Sequence, residues 1–210
     1  MSQIAFYILS DVHGFIFPTD FSSREKDLPM GLLKANHLIE QDCVHYDGSV
    51  KIDNGDFLQG SPLCNYLVSK LKSSLPLTSI YNRLGFDFGI VGNHEFNYDL
   101  PYLKQAINQL HYPVLCANII ENTQPFTGQG IHYFKVNDLT IGTIGLTTQY
   151  IPHWEQPDYI KTLTFNSAVH ILKSELPTLR EKSDIVVVSY HGGFERDLDS
   201  GLPTEALTGE

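Results

Sequence analysis

The segment IAFYILSDVHG, residues 4–14, joins a short apolar run to Asp11, His13 and Gly14. An apolar run of this length, bounded by polar residues and glycine, predicts a β-strand. Asp11 and His13 stand two positions apart directly behind that strand, and Gly14 permits a tight turn beside them. The segment therefore predicts a sheet in which the end of one strand carries two polar side chains.

The same arrangement recurs at three further places in the chain. At each place a short apolar strand is followed at once by aspartate, asparagine or histidine, with glycine next to it. In open α/β sheets the carboxyl ends of the strands share one edge, and ligands bind there. We therefore expect these polar side chains to meet at one site. The segments are SVKID followed by Asn54-Gly55-Asp56, DFGIV followed by Gly92-Asn93-His94-Glu95, and DIVVVSY followed by His191-Gly192-Gly193.

Other stretches of the chain show helical spacing of apolar residues, which predicts a layered α/β fold. One helix should begin at Ser61-Pro62, because a hydroxyl cap followed by proline is typical of a helix start. We treat residues 1–210 as one domain. The further predicted elements are helices over 31–42, 99–111 and 166–180, a strand over 113–119, and a hairpin over 131–148 that turns at Asn137-Asp138.

The composition is that of a soluble globular protein. Of the 210 residues, 42% are hydrophobic and 18% are charged, and the formal net charge is -10. A surface this negative repels duplex nucleic acid, whereas a small phosphate ester can still bind beside a local cation. No basic segment precedes a long apolar stretch at the amino terminus, so we expect a cytoplasmic protein without a membrane partner. Three cysteines without a C-x-x-C pair argue against a thiolate zinc site.

The residue types at the four strand ends suit a metal centre. Aspartate, histidine and asparagine offer the oxygen and nitrogen donors that borderline divalent ions such as Mn, Fe, Zn or Ni accept. Asp11 and His13 can converge on one ion. Asn93 and His191 can bind a second ion, with the carboxylate of Asp56 as a bridge. Two ions about 3.5–4 Å apart would clamp a phosphate for in-line attack by hydroxide.

Each motif by itself has a plainer explanation. A D-x-H triplet can occur by chance, Asn93 can be a helix cap or a turn residue, and His191 can be a core histidine with satisfied hydrogen bonds. Four such motifs, each at the end of an apolar strand, favour a shared metal site instead.

Together these motifs resemble the calcineurin-like metallophosphoesterase superfamily. The ordered D-x-H-G, N-G-D and G-N-H-E blocks, followed by an apolar strand that ends in histidine, are similar to its 5'-nucleotidase / 2',3'-cyclic-nucleotide 2'-phosphodiesterase family. The likeness extends through NGDFLQGSPL (54–63) and GNHEFNY (92–98). The resemblance implies a sandwich of two mixed β-sheets flanked by helices, incomplete at the carboxyl terminus. QGSPL (59–63), and Asn97 where 5'-nucleotidases usually carry aspartate, favour the cyclic phosphodiesterase/3'-nucleotidase branch.

The resemblance also implies a role for each site residue. Two divalent ions, of Mn, Zn, Fe, Ni or Mg, would be bound. His94 would not be a metal ligand; it would act on the substrate, stabilising charge on the phosphate and helping to protonate the leaving oxygen. In the 5'-nucleotidase pattern an aspartate pairs with this histidine; Asn97 could orient His94 but would support a positive charge on it less well. The implied metal ligands are Asp11, His13, Asp56, Asn93 and His191.

Two parts of the family's pattern have no counterpart in these 210 residues. One is a G-H-x-H or G-H-x-Q block that completes both metal spheres, and the other is a carboxyl-terminal domain with base-stacking aromatics. We therefore expect a catalytic domain that lacks the last metal-ligand block and the nucleotide-binding domain. Its metal binding and turnover should be weak, because the loss of even supporting interactions weakens metal sites.

We expect a divalent-metal-dependent phosphoester hydrolase acting on small nucleotides, and a 2',3'-cyclic-nucleotide 2'-phosphodiesterase/3'-nucleotidase in particular. The nearest alternative is a 5'-nucleotidase, which would use the same site. An alternative of another class is a folded fragment whose incomplete site is inactive. A nucleic-acid-binding module is disfavoured by the negative charge and by the lack of a basic, aromatic-interleaved face. The sequence does not specify the oligomeric state.

Overall fold

The structure, a computed structural model, describes residues 3–22, 27–194 and 196–203. Two large β-sheets pack face to face, and a small third sheet lies beside them. The strands are β1 (Ile4–Leu9), β2 (Gly48–Asp53), β3 (Phe88–Ile90), β4 (Val114–Leu115), β5 (Ile119–Glu121), β6 (Gln124–Pro125), β7 (Ile131–Val136), β8 (Leu139–Thr147), β9 (Leu163–Phe165) and β10 (Ile185–His191). The first sheet has the order β1-β2-β3-β4 with all neighbours parallel. In the second, of order β10-β8-β7, β10 runs parallel to β8 and β7 runs antiparallel.

Helices connect the parallel strands. Two of the expected helix starts are present: the side-chain oxygen of Ser61 accepts a hydrogen bond from the Cys64 backbone, and that of Asp99 accepts one from Tyr102. The helices are α1 (Leu32–Asp42), α2 (Pro62–Tyr66), α3 (Leu75–Tyr81), α4 (Leu100–Gln109), α5 (Pro157–Ile160) and α6 (Ala168–Lys182). No helix in the described ranges is long and apolar enough to cross a bilayer.

The core lies in three layers because successive strand residues point to opposite faces. Val114 packs with the cluster under the helices of the first sheet, whereas its neighbour Leu115 packs between the two large sheets. On β8, Ile141 belongs to the cluster between the sheets, and Ile144 packs on the other side with Leu179 of α6. The layered α/β sandwich expected from the sequence is therefore present.

Three details differ from the sequence-based expectation. Both large sheets were expected to be mixed, but the first is entirely parallel because helical crossovers join its strands. The strand predicted over 113–119 is divided between β4 and β5, which belong to different sheets. The segment DIVVVSY (184–190), whose continuous apolar sequence predicts a strand buried on both faces, forms β10. This strand lies at a sheet edge and is only partly buried, and Val188 is 41% exposed.

Candidate metal centre

Backbone hydrogen bonds bind the loops that follow β1 and β2 to each other. The Asn54 N–H donates to the Leu9 carbonyl (2.7 Å), and the Asp11 N–H donates to the Gly55 carbonyl (3.1 Å). The His13 N–H donates to the Asp56 carbonyl (2.8 Å). The predicted site residues of these two loops are thus held by the backbone before any side chain contributes.

The carboxylate of Glu95 connects the loop after β3 to the loop after β2. Glu95 is completely buried. Its Oε2 accepts hydrogen bonds from the backbone N–H groups of Asp56 and Gly92, both at 2.7 Å. Its Oε1 accepts from Phe57 (2.7 Å) and Leu58 (3.1 Å). Burial raises the pKa of this carboxyl, the charge of Asp56 raises it further, and the backbone donors oppose the rise.

Three of the predicted ligands adopt a left-handed backbone conformation. The φ angles are 56° at Asp11, 50° at His13 and 60° at Asp56. Residues other than glycine avoid this region, and strained conformations of this kind concentrate at functional sites. Close approach adds a further restriction, because a Cβ at Gly92 would lie 2.2 Å from Asp56 Oδ1. The local backbone is therefore built to present particular side chains rather than to form regular structure.

The predicted donor atoms converge at the strand ends. Asp56 Oδ2 lies 3.8 Å from His13 Nε2 and 3.2 Å from His191 Nε2. Asp11 Oδ1 lies 3.8 Å from His13 Nε2 and 3.9 Å from His191 Nε2. Donors that share an ion at roughly 2.0–2.2 Å from each are separated by similar distances. These four side chains therefore fit one divalent ion or an adjacent pair, with Asp56 in the central position.

Both histidines present the same ring nitrogen to this cluster. His13 Nδ1 lies 2.8 Å from the Gln59 carbonyl oxygen, and His191 Nδ1 lies 2.6 Å from the Asn54 carbonyl oxygen. Because a carbonyl only accepts, each Nδ1 carries a proton, and Nε2, which faces the carboxylates, is the nitrogen whose lone pair a metal ion could take. A backbone carbonyl behind the ring is the usual way in which a metal-binding histidine is oriented.

Two members of the cluster, Asp56 and His191, are buried. Burial opposes ionisation of Asp56, but hydrogen bonds and positive charge from His191, with support from His94, outweigh it and lower the pKa of the carboxyl. Burial also opposes the charge on His191, yet the bond to Asp56 outweighs it and raises the pKa of the ring to about 9. A divalent cation here would supply the positive charge that the His191 proton otherwise supplies.

Asn93 lies at the same cleft. This cleft of about 270 Å³ is lined by Asp11, Asn93 and His191, and the Trp154 side chain, which is 57% exposed, lies at it. Asn93 precedes a short 3-10 turn (His94–Asn97), but its side chain makes no capping hydrogen bond to that turn. The plainer explanation of Asn93 as a helix cap is thus not supported. A larger apolar cavity of about 610 Å³ along α6 and β10 contains none of the predicted ligands.

His94 adjoins the cluster. One of its ring nitrogens lies within 4.8 Å of a ring nitrogen of His13 and of a carboxylate oxygen of Asp56. The His94 backbone N–H donates to Asp56 Oδ1 (2.8 Å), and its ring stands edge-on to His13 with centroids 5.2 Å apart. His94 Nδ1 lies 2.6 Å from Asn97 Oδ1, so Nε2 is the ring nitrogen left for the site. Asp11, Asp56 and His191 form a second group of the same kind that shares Asp56.

A further carboxyl, that of Asp53, is buried at the end of β2 and was not singled out in the sequence. The Tyr112 hydroxyl donates to Asp53 Oδ2 (2.8 Å), and Oδ1 has no hydrogen-bond partner among the described residues. Burial raises the pKa of this carboxyl to about 7; the Tyr112 bond and the charge of His191 oppose the rise, and the charge of Glu95 adds to it. Asp53 is therefore a titrating group beneath the site.

A family comparison agrees with this geometry. The model of the calcineurin-like phosphoesterase family matches residues 4–207. The chain belongs to this family. The family is one of enzymes, and the clustered carboxylates and histidines of this chain are candidate ligands for the divalent metals that such enzymes bind.

Relatives of this phosphoesterase carry nucleotidase names. A 2',3'-cyclic-nucleotide 2'-phosphodiesterase/3'-nucleotidase from Salmonella typhimurium is 35% identical over 202 residues, which cover 90% of this chain and 31% of the relative. A 5'-nucleotidase from Vibrio cholerae is 28% identical over a match that covers 82% of this chain and 32% of the relative. A crystal structure from Staphylococcus aureus, provisionally named a 5'-nucleotidase, is 65% identical with a TM-score of 0.94, over 99% of this chain and 41% of that one. The chain spans about a third of the length of these curated relatives.

Three residues beside the candidate site were not among the predicted site residues. Asn54 supplies the carbonyl behind His191, and its side-chain oxygen accepts a hydrogen bond from Ser189 (2.7 Å). Trp154 and Glu155 come from the segment after β8, which carries no strand-end signal. Asn54 stands in the N-G-D block and could have been noticed there, whereas only the tertiary structure brings the 154–155 segment to the site.

Proposed function

We propose that this chain is the metal-binding catalytic domain of a nucleotide phosphoesterase that holds two divalent ions. The observation that carries the proposal is the position of Asp56. Its buried carboxylate belongs to both donor groups, one containing His13 and His94 and the other containing Asp11 and His191. A carboxylate shared by two donor groups is what a pair of neighbouring ions requires.

The protein residues have separable tasks in this proposal. Asp11, His13, Asp56, Asn93 and His191 hold the ions. Bound divalent ions lower the pKa of water and neutralise charge on phosphoryl oxygens. His94 is oriented through Nδ1 by Asn97 and turns Nε2 toward the phosphate and the leaving oxygen. When Nε2 also carries a proton, it can donate that proton to the leaving oxygen, which speeds ester cleavage.

We place the activity in the 2',3'-cyclic-nucleotide 2'-phosphodiesterase/3'-nucleotidase branch. The QGSPL segment and Asn97 support this branch, as do the names of relatives at 30–35% identity from Salmonella typhimurium, Haemophilus influenzae and Yersinia enterocolitica. A 5'-nucleotidase is the second candidate, supported by the name of the Staphylococcus aureus structure.

Trp154 supplies a contact for the base in this proposal. Its indole is 57% exposed at the cleft that Asp11 and His191 line, and it packs edge-on against Tyr150 with ring centroids 5.1 Å apart. An exposed aromatic ring held in place by a second ring is suited to stack on a nucleobase, a contact that tolerates any base.

The test is phosphate release by this chain with added Mn²⁺ from 2',3'-cyclic AMP, 3'-AMP and 5'-AMP, with products separated by chromatography. We expect slow release from the first two, and bound metal that approaches two ions per chain only when Mn²⁺ is in large excess. The variant Asp56→Asn should lose both activity and metal, because an amide cannot replace a shared carboxylate. Asp138→Asn, at the exposed turn between β7 and β8, is the matched control.

The outcomes separate the candidates. Release from 5'-AMP alone would assign the chain to the 5'-nucleotidases. Activity that survives Asp56→Asn would contradict the shared-carboxylate geometry. A chain that binds less than one ion and releases no phosphate from any of the three nucleotides would contradict the proposal and favour the alternative of an inactive fragment.

A further inference from the structure

A chain of hydrogen bonds runs outward from His94 to a carboxylate. His94 Nδ1 lies 2.6 Å from Asn97 Oδ1, and Asn97 Nδ2 donates a hydrogen bond to Glu155 Oε1. Glu155 stands 58 positions from Asn97 in the sequence and is partly buried. The three side chains therefore form one continuous path from the candidate site to the segment after β8.

The direction of every hydrogen bond in this path follows from Glu155. An ionised carboxylate only accepts, so the Asn97 amide must turn its NH₂ group toward Glu155 and its oxygen toward His94. The amide oxygen also only accepts, so His94 Nδ1 must carry a proton. Nδ1 thereby keeps its proton whether the ring is neutral or charged, and Nε2, which faces the site, is the nitrogen that gains or loses a proton. A free neutral histidine ring instead prefers its proton on Nε2.

Glu155 is itself held in place. Its backbone N–H donates to the Ile151 carbonyl (3.0 Å), which closes the turn that begins at Ile151. Ile151 is completely buried and anchors the turn in the core. The backbone of Glu155 is therefore fixed by the fold, which limits the positions that its carboxylate can take. The entropy cost of orienting Asn97 is met when the protein folds rather than when substrate binds.

We propose that Glu155 is a positioning residue that selects the tautomer and orientation of His94 through the amide of Asn97. This inference rests on the proposed function, because it assigns a task to Glu155 only if His94 acts on the phosphate ester. Position 97, next to His94, carries an amide rather than a carboxylate. In this proposal Glu155, which lies outside the G-N-H-E block, supplies the orienting carboxylate.

The first measurement needs no catalysis. In protein labelled with ¹⁵N-histidine and supplied with Mg²⁺, long-range ¹H–¹⁵N correlation spectra report which ring nitrogen of His94 carries the proton; the variant His94→Asn identifies the signals. We expect the Nδ1–H tautomer in the parent protein and a shift toward the Nε2–H tautomer in Glu155→Ala. An Nε2–H tautomer in the parent protein, or an unchanged spectrum in the variant, would overturn the proposal.

The second measurement is the kinetics of nucleotide hydrolysis. Glu155→Ala should lower kcat by roughly tenfold to a hundredfold, the usual effect of removing an orienting partner, with little change in KM. Glu155→Gln should lose less, because its amide oxygen can still accept from Asn97. Asp158→Ala removes an exposed acidic group from the same segment and should leave both kcat and the spectrum unchanged.

A double variant separates positioning from loop structure. In Asn97→Asp the new carboxylate accepts from His94 Nδ1 directly, so removal of Glu155 in that background should leave kcat unchanged or raise it by relieving the repulsion between two carboxylates. An equal loss of kcat in both backgrounds would mean that Glu155 acts only by holding the segment, and would contradict the proposal. If the parent protein hydrolyses no nucleotide, the proposed function fails, while the spectra still decide whether Glu155 sets the tautomer.

Discussion

Glu95→Gln is the substitution that tests most directly how the site is held together. The two side chains have the same shape, and the change replaces one carboxylate oxygen by an NH₂ group. Both oxygens of Glu95 accept two backbone hydrogen bonds each, from Asp56 and Gly92 on one side and from Phe57 and Leu58 on the other. Whichever way the new amide lies, its NH₂ group faces two N–H donors.

The magnitude follows from the donors that lose their acceptor. Leaving a buried donor unsatisfied costs about 1–3 kcal/mol, so two donors cost roughly 2–6 kcal/mol. The neutral amide no longer bears the cost of burying a charge, which offsets part of this loss. We therefore expect the free energy of unfolding to fall by about 2–4 kcal/mol. Because the same donors position the loops that carry Asp56 and Asn93, the affinity for Mn²⁺ should fall as well.

Urea unfolding followed by circular dichroism measures the first quantity, and isothermal titration with Mn²⁺ measures the second. Glu181→Gln, at an exposed position of α6, is the matched control and should change neither. If Glu95→Gln unfolds within about 0.5 kcal/mol of the parent protein, the four hydrogen bonds do not support the site and the reasoning is refuted.

Two further predictions concern the buried acid and the exposed indole. Because burial raises the pKa of Asp53 from 3.8 to about 7, the folded protein binds this proton more tightly than the unfolded chain. The Asp53 contribution to stability should thus be full below about pH 4 and be lost as the pH rises through 7, by roughly 4 kcal/mol in all. Asp53→Asn should therefore gain stability relative to the parent protein across this range; a difference that stays flat with pH, as for the control Asp138→Asn, would contradict the assignment. Trp154→Ala should raise KM for 3'-AMP about fivefold or more, with inhibition by inorganic phosphate unchanged, because only the base contact is lost. Trp154→Phe should retain most of the affinity, and an equal effect of Trp154→Ala on phosphate would show that the indole does not contact the base.

Much of the architecture could be predicted because strands and turns are encoded locally. The apolar runs and the glycine-bearing ends of β1, β2, β3 and β10 are short-range features of the chain. Parallel pairing then brings the ends of β1, β2 and β3 to one edge, where the structure places Asp11, His13 and Asp56 together. That these residues bind metal stays a prediction, which Asp56→Asn tests.

The break between β4 and β5 could not be predicted from apolar spacing. PVLCANI reads as one strand, but the buried side chain of Asn118 turns the chain by pairing with distant backbone. Its amide donates to the carbonyls of Thr147 (2.7 Å) and Asn166 (3.0 Å), and its oxygen accepts from the Thr147 N–H (3.0 Å). The hydrogen-bond partners of Asn118 lie 29 and 48 positions away in the sequence. The apolar spacing of the segment therefore carries no signal of the break between the two strands.

The sequence by itself determined which residues stand at the strand ends and which chemistry their donor atoms suit. Only the tertiary structure decided how those side chains are oriented: which ring nitrogen faces the cleft, how Glu95 joins two loops, and which carboxylate stands behind His94 through Asn97. The physical reason is that the period of a strand depends on neighbours along the chain. The direction of a hydrogen bond depends instead on whichever donor or acceptor the fold places opposite, at any distance in sequence.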